Sequence, residues 1–392
     1  MVYLDWAASA PPDSAILKQM TRDAVRYFGN PSSFHTVGKA ARAALERARF
    51  NCARILNCDA SQLVFTSGGT ESNNIILLSV LNSYEPASLV ISGIEHASVS
   101  QSASMLSSLG WKLGKILPNS DGRLDGRKVA AVLEENTKTR LVAIMAVNNE
   151  TGAIQPLEKL TAAVRGAALS STKKRVHFHA DFVQAVGKIP INLSALDIDS
   201  ASFSAHKFQG PRGIGLLYHQ NPNFRTLARG GGQEHGIRPG TENVAGAIAL
   251  ASALEKYSQP SQGVKENGIW LLSQLAGNPT LAKLARIIPE NRVNSPEGSY
   301  TPGIIAIGCP PIPGEVLTRV LANKGFVVST GSACHSNRRK KVPEKFGGLT
   351  LPKQTLNSMI RVSFGPSITR GQLEEFLKTL KTEVQILLKQ TR

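Results

Sequence analysis

Cysteine is scarce in this chain, 4 in 392 residues. Cys52 and Cys58 stand six apart, and Cys309 and Cys334 lie far downstream. That spacing excludes a disulfide framework and shows no zinc-site signature. Each thiol is by default a small buried apolar residue until its setting singles it out. Long apolar runs are missing too, so no membrane-spanning helix is expected. The opening stretch MVYLDWAASAPPDS carries Asp5 where a secretory signal would carry a basic region and then an apolar one. The expected compartment is therefore the cytoplasm.

Acidic residues are also in deficit: Asp and Glu number 28 against 45 Lys and Arg, a net charge of +17. Such a balance raises nucleic acid as a partner. The basic residues are nevertheless spread along the whole chain, with two short clusters, Lys173-Lys174-Arg175 and Arg338-Arg339-Lys340-Lys341. No helix-turn-helix, zinc-finger or aromatic-rich RNA-binding pattern accompanies them. The charge reads as a modifier of partners, and no direct nucleic-acid or membrane partner is expected.

What is present is an alternation of short apolar strands with helices. SLVIS, RLVAIMAV, RVHFHA, SASFSA and IGLLYH are strand-like, and ASVSQSASMLSSL and LEKLTAAVRGAAL are helix-like. Strands alternating with helices imply a mainly parallel sheet covered on both faces, an α/β domain. After about residue 255 a helix, NGIWLLSQLAG, leads into irregular Pro/Gly-rich sequence, then GEVLTRVLANKGFVVSTGSAC, SMIRVSFG and a closing helix. The expected organisation is a large α/β domain over 15–255. A smaller α+β domain would be built from 1–14 and 256–392.

The stretch SFSAHKFQGPRG, 202–213, sets Lys207 at a strand end beside a Gly-Pro turn. That suits a covalent cofactor anchor, although a surface lysine in a hairpin fits the same text. SGGTES, 67–72, is a glycine turn opening a helix whose free N–H groups can hold a phosphate, or merely a tight strand-to-helix connection. HADFVQAVGK puts Asp181 at a strand end, where open α/β sheets gather ligand groups. It could pair with a protonated pyridine nitrogen or simply cap a helix. IEHASV puts His96 at another strand end, placed to lie over a flat ring or to sit as an ordinary core histidine.

Taken in order, GGTESNN, EHASV, VNNETG, ADFVQAVGKIPIN, SFSAHKFQGPRG, GGGQEHGIRPGTEN, VVSTGSACHS and IRVSFG resemble the cysteine desulfurases of the NifS/IscS type, within the class-V aminotransferases. The matches run from YLDWAASAPP to the last strand. The resemblance implies the fold type I architecture of pyridoxal 5'-phosphate enzymes and a homodimer. Lys207 would hold the cofactor covalently, Asp181 would meet the ring nitrogen, Gln184 the ring hydroxyl, and His96 would stack on the ring as an acid-base helper. Asn149 would serve both ring and substrate. Gly69, Thr70, Ser204 and His206 would bind the phosphate, with Thr241 reaching it in the other subunit. Arg361 would grip the carboxylate of L-cysteine.

Cys334 separates a desulfurase from an aminotransferase, because sulfur needs an acceptor thiol. It sits on a small-residue loop followed by Arg338, Arg339 and Lys340, which favour a thiolate if they approach. The implied reaction turns L-cysteine into L-alanine and leaves a persulfide on Cys334. A sulfur-acceptor protein, an iron-sulfur scaffold or thiolation enzyme, would follow. The competing readings are a related lyase or aminotransferase, such as a selenocysteine lyase, and a non-catalytic basic scaffold on the same fold. Cys52, Cys58 and Cys309 read as core.

Overall fold

The computed structural model describes residues 1–83, 85–171, 175–221, 224–330, 349 and 351–390. Strand β1 is Val2–Tyr3, followed by helices α1, Ser14–Arg26, and α2, Thr36–Leu56. Then strands and helices alternate: β2 Leu63–Thr66, α3 Gly69–Ser83, β3 Ser88–Ser92, α4 Ala97–Ser108, β4 Lys112–Ile116, α5 Gly126–Glu135, β5 Thr139–Met145, α6 Leu157–Ser171, β6 His177–Asp181. Strands β7, Ser200–Ser204, and β8, Gly215–His219, precede α7, Val244–Tyr257. The remainder is α8 Gln262–Gly277, α9 Pro279–Leu284, β9 Arg286–Ile288, β10 Ile304–Gly308, α10 Gly314–Asn323, β11 Phe326–Val327, α11 Lys353–Asn357, β12 Met359–Ser363 and α12 Arg370–Gln390.

Seven strands join in the order β2-β8-β7-β6-β5-β3-β4. All neighbours from β4 to β7 are parallel, and β8 alone runs the other way, between β7 and β2. Period-two alternation splits the side chains of β5 between two cores. Val142 and Ile144 pack with α2, α6 and α7, whereas Leu141 and Ala143 pack with α3 and α4. Both faces are thus covered, which explains why strands such as Leu89-Val90-Ile91 are apolar throughout. The ends of β2, β3, β5, β6 and β7 consequently open on one edge of the sheet.

A separate core surrounds the antiparallel sheet β12-β10-β9, with α8, α10 and α12 packed on it. The N-terminal segment reaches it through β1, paired with β11, and through a bridge from Asp5 to Ser363. The stretch expected to be irregular, between α8 and α10, holds α9, β9 and the sheet's central strand β10. Pro302-Gly303 before β10 and Pro310-Pro311 after it mask a five-residue apolar run. Among the described residues no helix is long and apolar enough to cross a membrane.

One buried ion pair braces the large sheet. Arg49 of α2 donates to both carboxylate oxygens of Glu234, at 2.7 and 2.8 Å, and to the Leu63 carbonyl at 2.8 Å. The Phe65 N–H also donates to Glu234, at 2.7 Å. Glu234 and His235 adopt left-handed backbone conformations, φ 47° and 59°, which these contacts hold in place. Arg49→Met leaves that carboxylate buried and unpaired and should cost about 3–5 kcal/mol. Urea denaturation measures it; an unchanged midpoint would show that Glu234 finds another partner.

Candidate active site

The shared edge of the parallel strands meets the N-terminal segment and β12 around a cavity of about 790 Å³. Asp5, Gly69, Thr70, His96, Asn149, Asp181, Gln184, Ser204, His206, Lys207 and Arg361 line it. Ten of these are residues that the sequence motifs singled out. Thr241 does not join them: it is exposed and lies outside the lining. Cys334 and the basic run Arg338–Lys341 lie outside the described residues.

Lys207 ends a single 3-10 turn, Ala205–Lys207, in the connection between the antiparallel neighbours β7 and β8. It is thus in a hairpin connection, as one reading held, but half-buried. Its Nζ donates to the Ala7 and Ala8 carbonyls, each at 2.8 Å. Burial and then the Arg361 guanidinium lower its pKa to about 8, against the opposing pull of Asp181, Asp5 and Glu150. Next to it, burial, Lys207 and Arg212 push His206 down to about 4, so its imidazole is neutral at pH 7.

Asp181 is the last residue of β6 and is buried. Its Oδ1 accepts from the Val183 N–H at 2.9 Å and its Oδ2 from Asn73 Nδ2 at 2.8 Å. His96, expected at a strand end, instead caps α4, four residues beyond β3; its Nδ1 accepts from the Ser98 N–H at 3.1 Å. On the other side Arg361 of β12 is buried between two carboxylates, Asp5 at 2.8 Å and Glu150 at 3.4 Å, and donates to the Asn149 carbonyl at 2.9 Å. Its Nε is buried and has no hydrogen-bond partner among the described residues.

Asp5, Asn73, Ser98 and Glu150 were not singled out by the motifs. Asn73 had a signal, since it follows Thr70 by three residues on α3 and shares its face. Asp5 and Glu150 had none that composition could supply, because their partner lies more than 200 residues away in sequence.

The residues fit pyridoxal phosphate on three counts. A Cβ at Gly69 would collide with Val183 Cγ2, so the turn into α3 needs glycine to leave its concavity open. Gly69 and Thr70, which open α3, line the cavity, and the first-turn N–H groups of a helix are ready anion donors. Gln184 Oε1 is buried and has no hydrogen-bond partner among the described residues, a polar atom suited to a ligand group. The carboxylate of Glu71, which accepts from the Ser67 N–H and from Arg238 Nε at 3.1 Å, closes the rim of this turn.

A profile of the aminotransferase class-V family matches residues 2–376. The chain belongs to that family, whose enzymes depend on pyridoxal 5'-phosphate. The cysteine desulfurase IscS of Dictyoglomus turgidum is 32% identical over 389 residues, covering 98% of this chain and 95% of its own. Among solved structures, a NifS-like protein superposes with a TM-score of 0.86 at 31% identity, covering 98% of this chain and 99% of its own. A structure described as SspA in complex with cysteine superposes at 0.79 with 26% identity, covering 94% of this chain and 100% of its own. Within the family the chain is thus one of the NifS/IscS-type cysteine desulfurases.

Lys207 provides a direct check of the site's electrostatics. Below pH about 8 its amine holds a proton and cannot attack an acylating reagent; above it the amine is free. Acylation of cofactor-free protein, followed by peptide mass mapping, should show this lysine rising through a midpoint near 8, ahead of lysines with the ordinary 10.5. Titration of Lys207 with the ordinary set would contradict burial as the cause.

Proposed function

We propose that this chain converts L-cysteine to L-alanine with Cys334 as the first sulfur acceptor. The observation that carries the reading is a desolvated lysine amine set between Asp181 and Arg361 at one sheet edge, beside a glycine-built anion cradle. When bound, pyridoxal phosphate supplies the electron sink for bond breaking at the substrate's α-carbon. Lys207 would anchor it, Asp181 meet its ring nitrogen and Gln184 its hydroxyl, with His96 against the ring. Gly69, Thr70, Ser204 and His206 would hold its phosphate.

Arg361 orients the substrate through its carboxylate, for which the buried Nε is the uncommitted donor. Asn149, whose carbonyl holds Arg361, flanks the same place. Lys207 Nζ, neutral above pH about 8, moves the α-proton. The Cys334 thiolate attacks the substrate sulfur. The carbon–sulfur bond breaks, a sulfur–sulfur bond forms, and the β-carbon is reduced to the methyl of alanine as the thiol sulfur is oxidised to a persulfide. The other three cysteines support this assignment, because burial pushes each thiol up to about 12, far from thiolate at neutral pH.

A homodimer is part of the proposal. Phe28, Phe34 and Phe50 are exposed at 77%, 88% and 62%, large apolar side chains of the kind that a second copy would cover. The exposed Thr241 is then free to serve the neighbouring cavity. The division into a unit over 15–255 and one from 1–14 and 256–392 agrees with the separate cores of the two sheets. We place the protein in the cytoplasm, handing sulfur to an iron-sulfur scaffold or thiolation enzyme, with the basic run after Cys334 as a docking element for an acidic acceptor.

Cys334→Ser should bind pyridoxal phosphate normally yet form no alanine from L-cysteine, since serine is a far weaker nucleophile at neutral pH. Mass mapping of the wild type after L-cysteine, without reductant, should find one added sulfur atom on the Cys334 peptide. Full turnover in the serine variant would point to a lyase that needs no acceptor thiol.

Arg361→Ala should raise KM for L-cysteine by about 10- to 100-fold, the worth of a charge-assisted hydrogen bond. Steady-state kinetics give the answer, and an unchanged KM would place the carboxylate elsewhere.

A further inference from the structure

From the cavity wall inward the polar side chains form one continuous chain of hydrogen bonds, and its direction can be deduced. Asn73 is buried at 1% exposure on α3. Its Nδ2 lies 2.8 Å from Asp181 Oδ2 and 2.8 Å from Ser98 Oγ, and its Oδ1 lies 2.9 Å from His179 Nε2. A carboxylate only accepts, so the amide must present its NH2 to Asp181; turned over, it would set two oxygens against each other.

The remaining donors follow from that one orientation. Asn73 Oδ1 needs a proton from His179 Nε2, so His179 Nδ1 is an acceptor and takes the Ser200 hydroxyl proton at 2.8 Å. Ser200 Oγ in turn accepts from His177 Nε2 at 2.7 Å. Burial keeps both histidines neutral, pushing His177 to about 4 and His179 to about 3. At the other end Ser98 Oγ, having accepted from Asn73, donates to His96 Nδ1 at 2.8 Å. His96 Nδ1 thus accepts from both the hydroxyl and the N–H of Ser98, leaving its proton on Nε2.

We propose that Asn73 is a positioning residue of this site. Its single NH2 group holds Asp181 and, through Ser98, His96, so that the group under the ring nitrogen and the group against the ring face are set together. This rests on the cofactor placement proposed above. The amide does no chemistry itself. It fixes the direction of each hydrogen bond between Asp181 and His96, and its own direction is fixed by the acceptor-only carboxylate of Asp181.

The test uses reconstituted holoenzyme and exploits shape. Asn73→Asp preserves the side chain's outline but replaces both donors with an anion facing Asp181, whereas Asn73→Ala merely removes them. Donor-based positioning predicts that the alanine variant weakens pyridoxal phosphate binding by about 10-fold and that the isosteric aspartate weakens it further. A space-filling role predicts the reverse order, with aspartate the milder change. Ser98→Ala cuts only the arm to His96; it should retain cofactor affinity and lower kcat at unchanged KM.

An Asn73→Asp enzyme with wild-type affinity and wild-type cofactor absorbance would overturn the inference. If neither Asn73 variant folds, Ser98→Ala decides, and wild-type kcat there overturns it equally. Wild-type protein that binds no pyridoxal phosphate would instead defeat the parent reading.

Discussion

A buried guanidinium joins the two halves of this protein and orders its site. Arg361 belongs to β12 of the small sheet, Asp5 to the N-terminal segment, and Asn149 with Glu150 to the loop after β5 of the large sheet. Burying such a charge is tolerable only with close counter-charges, and removing either partner would strand the other in low dielectric. The same constraint fixes one side of the cavity, where Asp5, Asn149, Glu150 and Arg361 meet. The guanidinium is held on two sides, by Asp5 and by Glu150.

That cluster also conditions Lys207. Arg361 and the carboxylates of Asp181, Asp5 and Glu150 act on the lysine from the cavity wall, and their fields partly cancel, leaving burial as the leading influence. The amine therefore titrates within reach of neutral pH, which suits the proton transfer proposed for it. The alanine carbonyls at positions 7 and 8 aim it, and the Ser363 hydroxyl, which accepts from the Ala7 N–H, anchors that segment in turn to the small sheet. Aim and basicity thus both depend on how the two sheets meet.

Sulfur chemistry adds a separation of thiols. Cys52 and Cys309 lie in apolar cores, and Cys58 packs at the edge of one, where a thiolate is costly. Three of the chain's four cysteines are thus silenced by burial.

The sequence by itself determined the alternating α/β plan, the glycine turn before Thr70, the strand-end position of Asp181 and the turn that carries Lys207. These depend on local chemistry: apolar periodicity, turn residues and breakers that act within a few positions. It also held the ordered set of motifs by which the family is recognised. It did not disclose β10, hidden between proline-glycine breakers, or the place of His96 as a helix cap rather than a strand end. Nor could it reveal the Asp5–Arg361–Glu150 cluster or the direction of the hydrogen bonds through Asn73. Those arise from side chains on separate strands and helices meeting in space, and only tertiary packing decides which donor faces which acceptor.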